Sequence, residues 1–481
     1  MTGPTVHPPL LNLLGFLILS IFTGCAVGPD YRTPESGDLT PGPMEHREES
    51  LSPPAEWWMV LQDPVLKDLL ARADNANRDL RIANTRIREA RAGLLQAQGG
   101  FLPSLGAAAS ASEQRQSENG VLLSSLPSVA GNIDPQTSLY RVGFDASWEL
   151  DWFGRTRRGV EAARARLESA EEASNLARQS VMAELVLNYI QLRGLQERRI
   201  ILLRNIEVQE DTLDLVRDRR SSGLGNDLAV SQARSQLLTT RASLPGLEAG
   251  VQARLHAIST LVGSPPRALP ESLETFQELP ALPSQLLRYI PANVIQRRPD
   301  IRLAERQLRA ESAEIGQAMA DQWPTFSLTG GFAFESTDTG NLFDAASRTW
   351  SIGPGLQWPI FSANRISANI DRQEAQYEGA LANYEQSVLR AFQEVETVLA
   401  QNIQQRETSR RLEAATEETA RSLELSKALY ESGLADFLSV LNAERQLVLI
   451  EDQLIQSRTR EWTAFIRLYK ALGGGWSQPP E

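Results

Sequence analysis

Few side chains in this protein are equipped for chemistry. Among its 481 residues there are three histidines, His7, His46 and His256, and one cysteine, Cys25. Covalent catalysis needs a nucleophile and a base that can reach each other, and no such pair can be assembled from these residues. His256 sits on a helical stretch, as a packed or solvated histidine would. One cysteine excludes an intramolecular disulfide and a thiolate metal cluster. Asp151-Trp152-Phe153-Gly154 has the outline of a kinase magnesium motif, but neither a Gly-rich loop nor a catalytic loop accompanies it. The chain is therefore read as a non-enzyme with no cofactor and no metal. A net charge of −12 also sets it against nucleic acid, whose phosphates would repel it. One covalent chemistry remains, lipid attachment at Cys25.

Leu10 to Phe22 is a nearly unbroken apolar run of 13 residues, too short to span a bilayer as a helix but suited to a signal-peptide core. It ends at Thr23-Gly24, directly before Cys25, an arrangement that resembles a bacterial lipobox. Residues 1–24 are thus read as a signal peptide and Cys25 as the lipidated mature N-terminus. The rival is an ordinary signal peptide with an incidental cysteine. Ala26 follows, not the aspartate that retains lipoproteins at the inner membrane. Residues 26–56 are rich in Pro, Gly and acidic groups and read as an extended tether.

The chain then says the same thing twice. Asn77-Arg78-Asp79-Leu80 returns as Arg298-Pro299-Asp300-Ile301, an offset of 221 positions, while Ser222-Gly223-Leu224 returns as Ser432-Gly433-Leu434 at 210. A period this long marks a duplicated half-protein, not a solenoid unit. Each copy reads helix, two strands, very long helix, glycine turn, helix. Arg155 to Arg220 is proline-free, as is Ala363 to Ser432; at 1.5 Å per residue the first would be roughly 100 Å long. Its apolar positions Val181, Leu185, Tyr189, Leu192, Leu195, Leu202, Ile206, Leu213 and Val216 step by threes and fours, a coiled-coil stripe interrupted by Arg199 and Gln209. Asn226 to Val262 and Asp436 to Leu472 are expected as single helices, so that pairs of short helices flank each long one. The domain reading is a tether and equatorial segment over 25–77, repeats over 78–262 and 298–472, an equatorial linker over 263–297 and a tail over 473–481.

The strands carry the environment. From Tyr140 to Trp152 apolar and polar residues alternate without exception, with Arg141, Asp145 and Glu149 on the polar side. Phe326 to Glu335 and Trp350 to Ile360 repeat the pattern, and Leu105 to Ser112 does so more weakly. A soluble sandwich also alternates, but long strands with aromatic ends, charged or glycine on one face, match a membrane β-barrel. Pro354 cannot donate to a ladder, so a bulge is expected there. Open sheet edges are not tolerated in lipid, so four strands need further copies of the chain to close. Two, three or four copies satisfy that requirement.

Cys25-Ala26-Val27-Gly28-Pro29-Asp30-Tyr31, Trp148 through Arg155, Arg297-Arg298-Pro299-Asp300-Ile301, Trp358-Pro359-Ile360-Phe361 and Gly433 through Ala443 together resemble the outer-membrane efflux protein (TolC) family, in its OprM- and NodT-like lipoprotein branch. The resemblance implies a mainly α chain with a β-barrel part. Three chains would form a homotrimer, a 12-stranded membrane β-barrel continuous with a long α-helical coiled-coil periplasmic barrel. It implies a duct in the outer membrane of a Gram-negative bacterium, working with a periplasmic adaptor (membrane fusion) protein and an inner-membrane RND pump. The turns at Gly223 and Gly433 would be the tips of the periplasmic aperture, together with Asp214, Tyr430, Asp436, Ser439 and Asn442. Asp214 and Tyr430 match a polar link that holds such tips closed, although Ala435 stands where that link has arginine. Ser439 and Asn442 stand where relatives place aspartate rings. Arg141, Asp145 and Glu149 would line the barrel lumen. The rivals are a pore-less structural or adhesive envelope lipoprotein, which would not line its interior with charges, and an envelope hydrolase, which lacks a nucleophile and base.

Overall fold

The structure is a computed structural model, and it describes residues 26–34, 57–115, 117, 136–266, 268–269, 273, 275–279, 282 and 297–474. The signal peptide, Cys25, most of the tether, the loop after the first strand, most of the linker and the end of the tail lie outside the described residues. The helices are α1 (Pro64–Ala76), α2 (Arg78–Gly99), α3 (Arg155–Ser221), α4 (Asp227–Ala242), α5 (Leu244–Leu261), α6 (Pro299–Ala320), α7 (Arg365–Glu431) and α8 (Phe437–Ala471). The strands are β1 (Ser104–Arg115), β2 (Gln136–Leu150), β3 (Thr325–Ser336) and β4 (Arg348–Gln357). No helix among the described residues is long and apolar enough to cross a membrane. The chain divides into two compact units, and α2, α3, α6 and α7 contribute residues to both.

The first unit holds Met1–Pro34, Arg88–Glu168 and Glu305–Ala382. Its centre is an antiparallel sheet in the order β1-β2-β3-β4. The register is continuous from Thr325 opposite Gln357 to Phe334 opposite Arg348, through Pro354 opposite Leu328. The expected bulge is therefore absent. β4 is an edge strand, where a residue without an N–H is tolerated. Trp152, Trp358 and Ile360, expected in strands, lie just beyond the strand ends. Trp148 Nε1 donates to the Phe101 carbonyl at 2.9 Å and Trp358 Nε1 to the Gln322 carbonyl at 3.1 Å. In each half an indole in or just after a strand thus bonds the backbone just past the end of a helix.

The second unit holds Glu35–Ile87, Ser169–Ala304 and Asn383–Glu481. Its largest core gathers Trp57, Leu66, Leu69, Leu185, Tyr189, Ile190, Ile258, Trp462 and Phe465. A second core, with Leu202, Ile206, Leu213, Val216, Leu237, Tyr430, Phe437 and Val440, continues the stripe of α3. Every stripe residue is buried except Leu195, which is half-buried; Arg199 is exposed and Gln209 is buried. α3 and α7 have 67 residues each. The single helix expected over Asn226–Val262 is two, because Pro245 enters at the start of α5 and forces a break at Ser243. At the same offset the other copy has Ile455, and α8 runs unbroken. α1 and α2 are likewise separate helices, parted at Asn77, whose backbone is extended.

That break shows how the duplicated halves solve one problem with different residues. Asn77 Oδ1 accepts from the Asp79 and Leu80 amides, capping α2, while its Nδ2 donates to the Leu261 carbonyl at 2.8 Å. In the other half Arg298 Nη1 donates to the Ala471 carbonyl at 2.8 Å while the same guanidinium grips Asp300 and Glu394. Burial works against the Arg298 charge, but the hydrogen bonds and charges of Asp300 and Glu394 raise its pKa above the usual value. Both helix ends close at a left-handed glycine, Gly263 (φ 71°) and Gly473 (φ 77°).

A Cβ on Gly263 would lie 2.3 Å from the Ala76 carbonyl oxygen, whereas on Gly473 its nearest neighbour would be 3.5 Å away. Left-handed backbone alone costs an alanine about 1–2 kcal/mol. Gly473→Ala is expected to lose about that much and Gly263→Ala clearly more, read as thermal melting of the detergent-solubilised protein. Equal losses would mean that the Ala76 backbone yields freely.

Candidate functional site: the sheet, the N-terminal strap and the helical turns

Pairing sorts the strand side chains onto two faces. Ala107, Phe144, Phe332 and Trp350 form one row and Ala146, Gly330 and Ile352 the next, all on the apolar face. Ser110, Arg141 and Glu335 form a row on the other face, as do Gly106, Asp145, Gly331 and Ser351. Phe144 is 56% exposed, Ile352 69% and Trp350 73%. An apolar surface this open marks an interaction or membrane surface. On the polar face Arg141 pairs with Asp145 at 3.8 Å and Glu335 at 3.7 Å. Arg155, just past β2, bridges Glu149 at 3.8 Å and Asp321 at 3.2 Å. Gly143 leaves room on that face for Ala333, since a Cβ there would come 2.4 Å from the alanine Cβ. Phe153 stacks on Trp323 at 4.9 Å and Trp152 leans on Phe326 at 5.7 Å, at the end of the sheet where the helices begin. Such a belt is what a membrane interface favours.

Cys25 lies outside the described residues, but the residues that follow it are held firmly. The Val27 amide donates to the Phe153 carbonyl at 3.1 Å. Arg158 Nε donates to the Val27 carbonyl at 3.1 Å, and Nη2 to the Gly28 carbonyl at 3.3 Å and Asp30 at 2.9 Å. Glu161 takes the remaining arm at 2.9 Å. Burial opposes the Arg158 charge, but Asp30 and Glu161 outweigh it and raise its pKa. Gly28 (φ 96°) lies so close to Gly316 that a Cβ would fall 2.3 Å from the Gly316 Cα. Thr33 reaches Glu305 at 3.2 Å. Residues 26–34 thus form a docked strap, held by side chains of the helices, within the segment whose composition suggests an extended tether. Pro, Gly and Asp content reports irregular backbone, not whether that backbone has a groove to lie in. The arginine that holds it was not singled out from the sequence.

The glycine turns behave as expected. Gly223 and Gly433 both have φ of 75°. At each, the glycine amide returns to the carbonyl three residues back and the next amide to the carbonyl five back, Leu224 to Arg219 at 2.8 Å and Leu434 to Leu429 at 2.9 Å. Asn226 caps α4 through the Ala229 amide, and Asp436 caps α8 through the Ser439 amide at 3.1 Å and the Ser439 hydroxyl at 2.9 Å. Asp214 and Tyr430 are not brought together within the chain. Asp214 is exposed and pairs with Arg217 at 2.8 Å. Tyr430 is buried edge-on to Phe437, with the Arg219 guanidinium 4.8 Å over its ring. Arg219 also bonds the Glu431 carbonyl at 2.9 Å, so the end of α3 is tied to the end of α7. Ser439 and Asn442 are exposed. Leu224, Leu228, Leu434 and Leu438 are exposed around the turns. They match in pairs at the 210-residue offset, Leu224 with Leu434 and Leu228 with Leu438.

A sheet apolar on one face and charged on the other, with long paired coiled-coil helices in the same chain, defines an outer-membrane channel protein. A family profile described as "Outer membrane efflux protein" matches residues 69–264 and 290–474, and the chain belongs to that family. It is 33% identical over 483 residues to outer membrane protein OprJ of Pseudomonas aeruginosa, covering 98% of each chain. It is 30% identical to the probable outer membrane lipoprotein SilC of Salmonella typhimurium, over 97% of this chain and 99% of SilC. The solved structure of the outer-membrane channel OprN superposes with a TM-score of 0.86 at 34% identity, over 94% of this chain and all of that one.

A cation at mid-membrane on the lipid face of such a barrel costs about 2–4 kcal/mol. Phe144→Arg is therefore expected to impair outer-membrane assembly far more than Asp145→Arg, measured as heat-stable oligomer in isolated membranes. Equal tolerance would overturn the assignment of the faces.

Proposed function

We propose that this outer-membrane efflux protein is the exit duct of a tripartite pump. Three copies close their sheets into one 12-stranded barrel and receive cargo from a periplasmic adaptor and an inner-membrane RND pump. The observation that carries the reading is the sheet itself. Its four strands end in two open edges, β1 and β4, and carry an exposed apolar face opposite one bearing Arg141, Asp145, Glu149 and Glu335. Lipid requires the edges to be paired, and twelve strands leave a lumen where eight would fill it with side chains. A pore-less trimer would bury those charges without solvent. The duct does no chemistry and needs no cofactor or metal. In this reading the chain comprises a signal peptide over 1–24, an N-terminal strap and equatorial segment over 25–77, repeats over 78–262 and 298–472 joined by an equatorial linker over 263–297, and a tail over 473–481. The turns at Gly223 and Gly433 are the periplasmic aperture, and the exposed leucines beside them are the surface offered to the adaptor. Planar-bilayer conductance by the purified protein tests the duct. A heat-stable trimer that never conducts, even with Gly433→Pro splitting the turn, would favour the structural rival.

Cys25 is proposed to carry lipid, as the small residues before it and the likeness to SilC support. Intact mass of the mature protein is expected to show diacylglycerol plus one acyl chain on Cys25, and a mature N-terminus at any other residue would refute it. Because the strap is held by Arg158, Cys25→Ser should release the anchor yet leave the strap docked.

At the aperture, Ser439 and Asn442 carry no charge, so multivalent cations should block weakly from that side. Asn442→Asp, three times over in a trimer, is expected to strengthen block about tenfold, as one charged contact does, with trimer yield unchanged. Identical block of both forms would place Asn442 away from the constriction.

A further inference from the structure

The internal duplication makes one half of the chain a template for the other. α2 and α6 have 22 residues each and start 221 positions apart; α3 and α7 have 67 each and start 210 apart. Within the first unit α3 and α6 lie against each other along a ladder of ion pairs. Arg309 pairs with Glu168 at 3.4 Å, Arg306 with the same carboxylate at 3.4 Å, Arg155 with Asp321 at 3.2 Å, and Arg166 with Glu314. One turn from the Arg309–Glu168 pair, Ala313 is 2% exposed and Ala165 1%. Carried across by the two offsets, that contact becomes one between α2 and α7. Arg309 maps to Arg88, Glu168 to Glu378, Ala313 to Ala92 and Ala165 to Ala375, each the same residue type. The other pairs are not kept. Thr85 stands for Arg306, Gln376 for Arg166, and Gly93 and Gly100 for Glu314 and Asp321. Yet Arg88, Ala92, Ala375 and Glu378 are all exposed. The reason is position: α2 leads into β1 and α7 leaves β4, the two edge strands of the sheet.

We propose that α7 of one copy docks against α2 of a second copy of this chain, pairing Glu378 with the neighbour's Arg88 and packing Ala375 on its Ala92. Two features name a second copy as the occupant. The kept residues complement each other, cation to anion and small to small, and both faces belong to one sequence. Joining β4 of one copy to β1 of the next, as open edges in lipid require, brings these same helices side by side. With one ion pair kept where α3 and α6 have several, charge reversal at that pair acts on assembly without a second pair to compensate. The inference deepens the duct reading, from which it takes only that copies join edge to edge. It does not depend on how many do.

The test uses the full chain with Ala92→Cys and Ala375→Cys in a Cys25→Ser background, solubilised in detergent and treated with a short bis-maleimide. Denaturing gels should then show covalent oligomers, while a chain with either cysteine alone gives monomer. Charge supplies a second arm, which decides if the cysteine chain does not assemble. Glu378→Arg should speed subunit dissociation about tenfold or more, since like charges facing each other across an interface repel. Adding Arg88→Glu to the same chain should restore the slow rate, which a merely misfolded helix would not do. A link formed within one chain, no link at all, or no recovery in the charge-swapped chain overturns the proposal. Native mass and bilayer conductance of the unmodified protein count the copies and report the duct. A conducting trimer without the link sinks the seam alone, and a linked oligomer of two or four copies, or one that never conducts, sinks the duct reading alone.

Discussion

An unpaired β-strand edge cannot rest in hydrocarbon, because every exposed amide and carbonyl there lacks water to replace its partner. The sheet has two such edges, and most of what the chain does follows from them. β1 carries alanines on its apolar face where β4 carries Trp350, Ile352 and Leu356, so a small strand meets a large one wherever copies join. The closure proposed above would turn the polar face inward. Arg141, Asp145 and Glu335 would then remain hydrated while Phe144 and Phe332 would face lipid, and neither group would be acceptable on the other side.

The duplication is conserved in task more than in residue type. Gly223 and Gly433, and Gly263 and Gly473, repeat the same left-handed cap. Trp148 and Trp358 repeat the same indole tie. Elsewhere a task survives with a new residue. Asn77 and Arg298 both secure the end of a distant helix, one with an amide and one with a buried guanidinium needing two carboxylates. Gly154 (φ 82°) is matched at the 210-residue offset by Asn364 (φ 64°), asparagine being tolerated in that conformation. Pro245 against Ile455 shows the limit, since there the backbone itself differs.

Those comparisons explain what could be read from the sequence. Side-chain alternation made the strands and their faces legible, because a period of two follows from the pleat itself. Proline-free stretches revealed α3 and α7, the first also by its three-four apolar step. Gly223 and Gly433 were legible because their conformation restricts residue choice. Pro354 misled because its consequence depends on whether the strand is an edge, a fact of tertiary pairing. The single helix expected over Asn226–Val262 failed because that expectation took no account of Pro245, which parts α4 from α5 at Ser243. The Arg158 grip was invisible, as it consists of a side chain meeting backbone carbonyls some 130 residues earlier. Asp214 and Tyr430 were placed together by resemblance, and within one chain they have other partners.

The docked strap has a consequence in time. Its groove is made by Phe153 and Arg158 near the start of α3 and by Gly316 and Glu305 of α6, so its walls emerge during synthesis long after the strap itself. During export the leading end travels first and has nowhere to settle until the second half of the chain arrives. On the proposed lipidation of Cys25, acyl transfer could be finished in that interval. Seating of the strap then becomes a late step, one that records that both halves of the polypeptide have been delivered and have met.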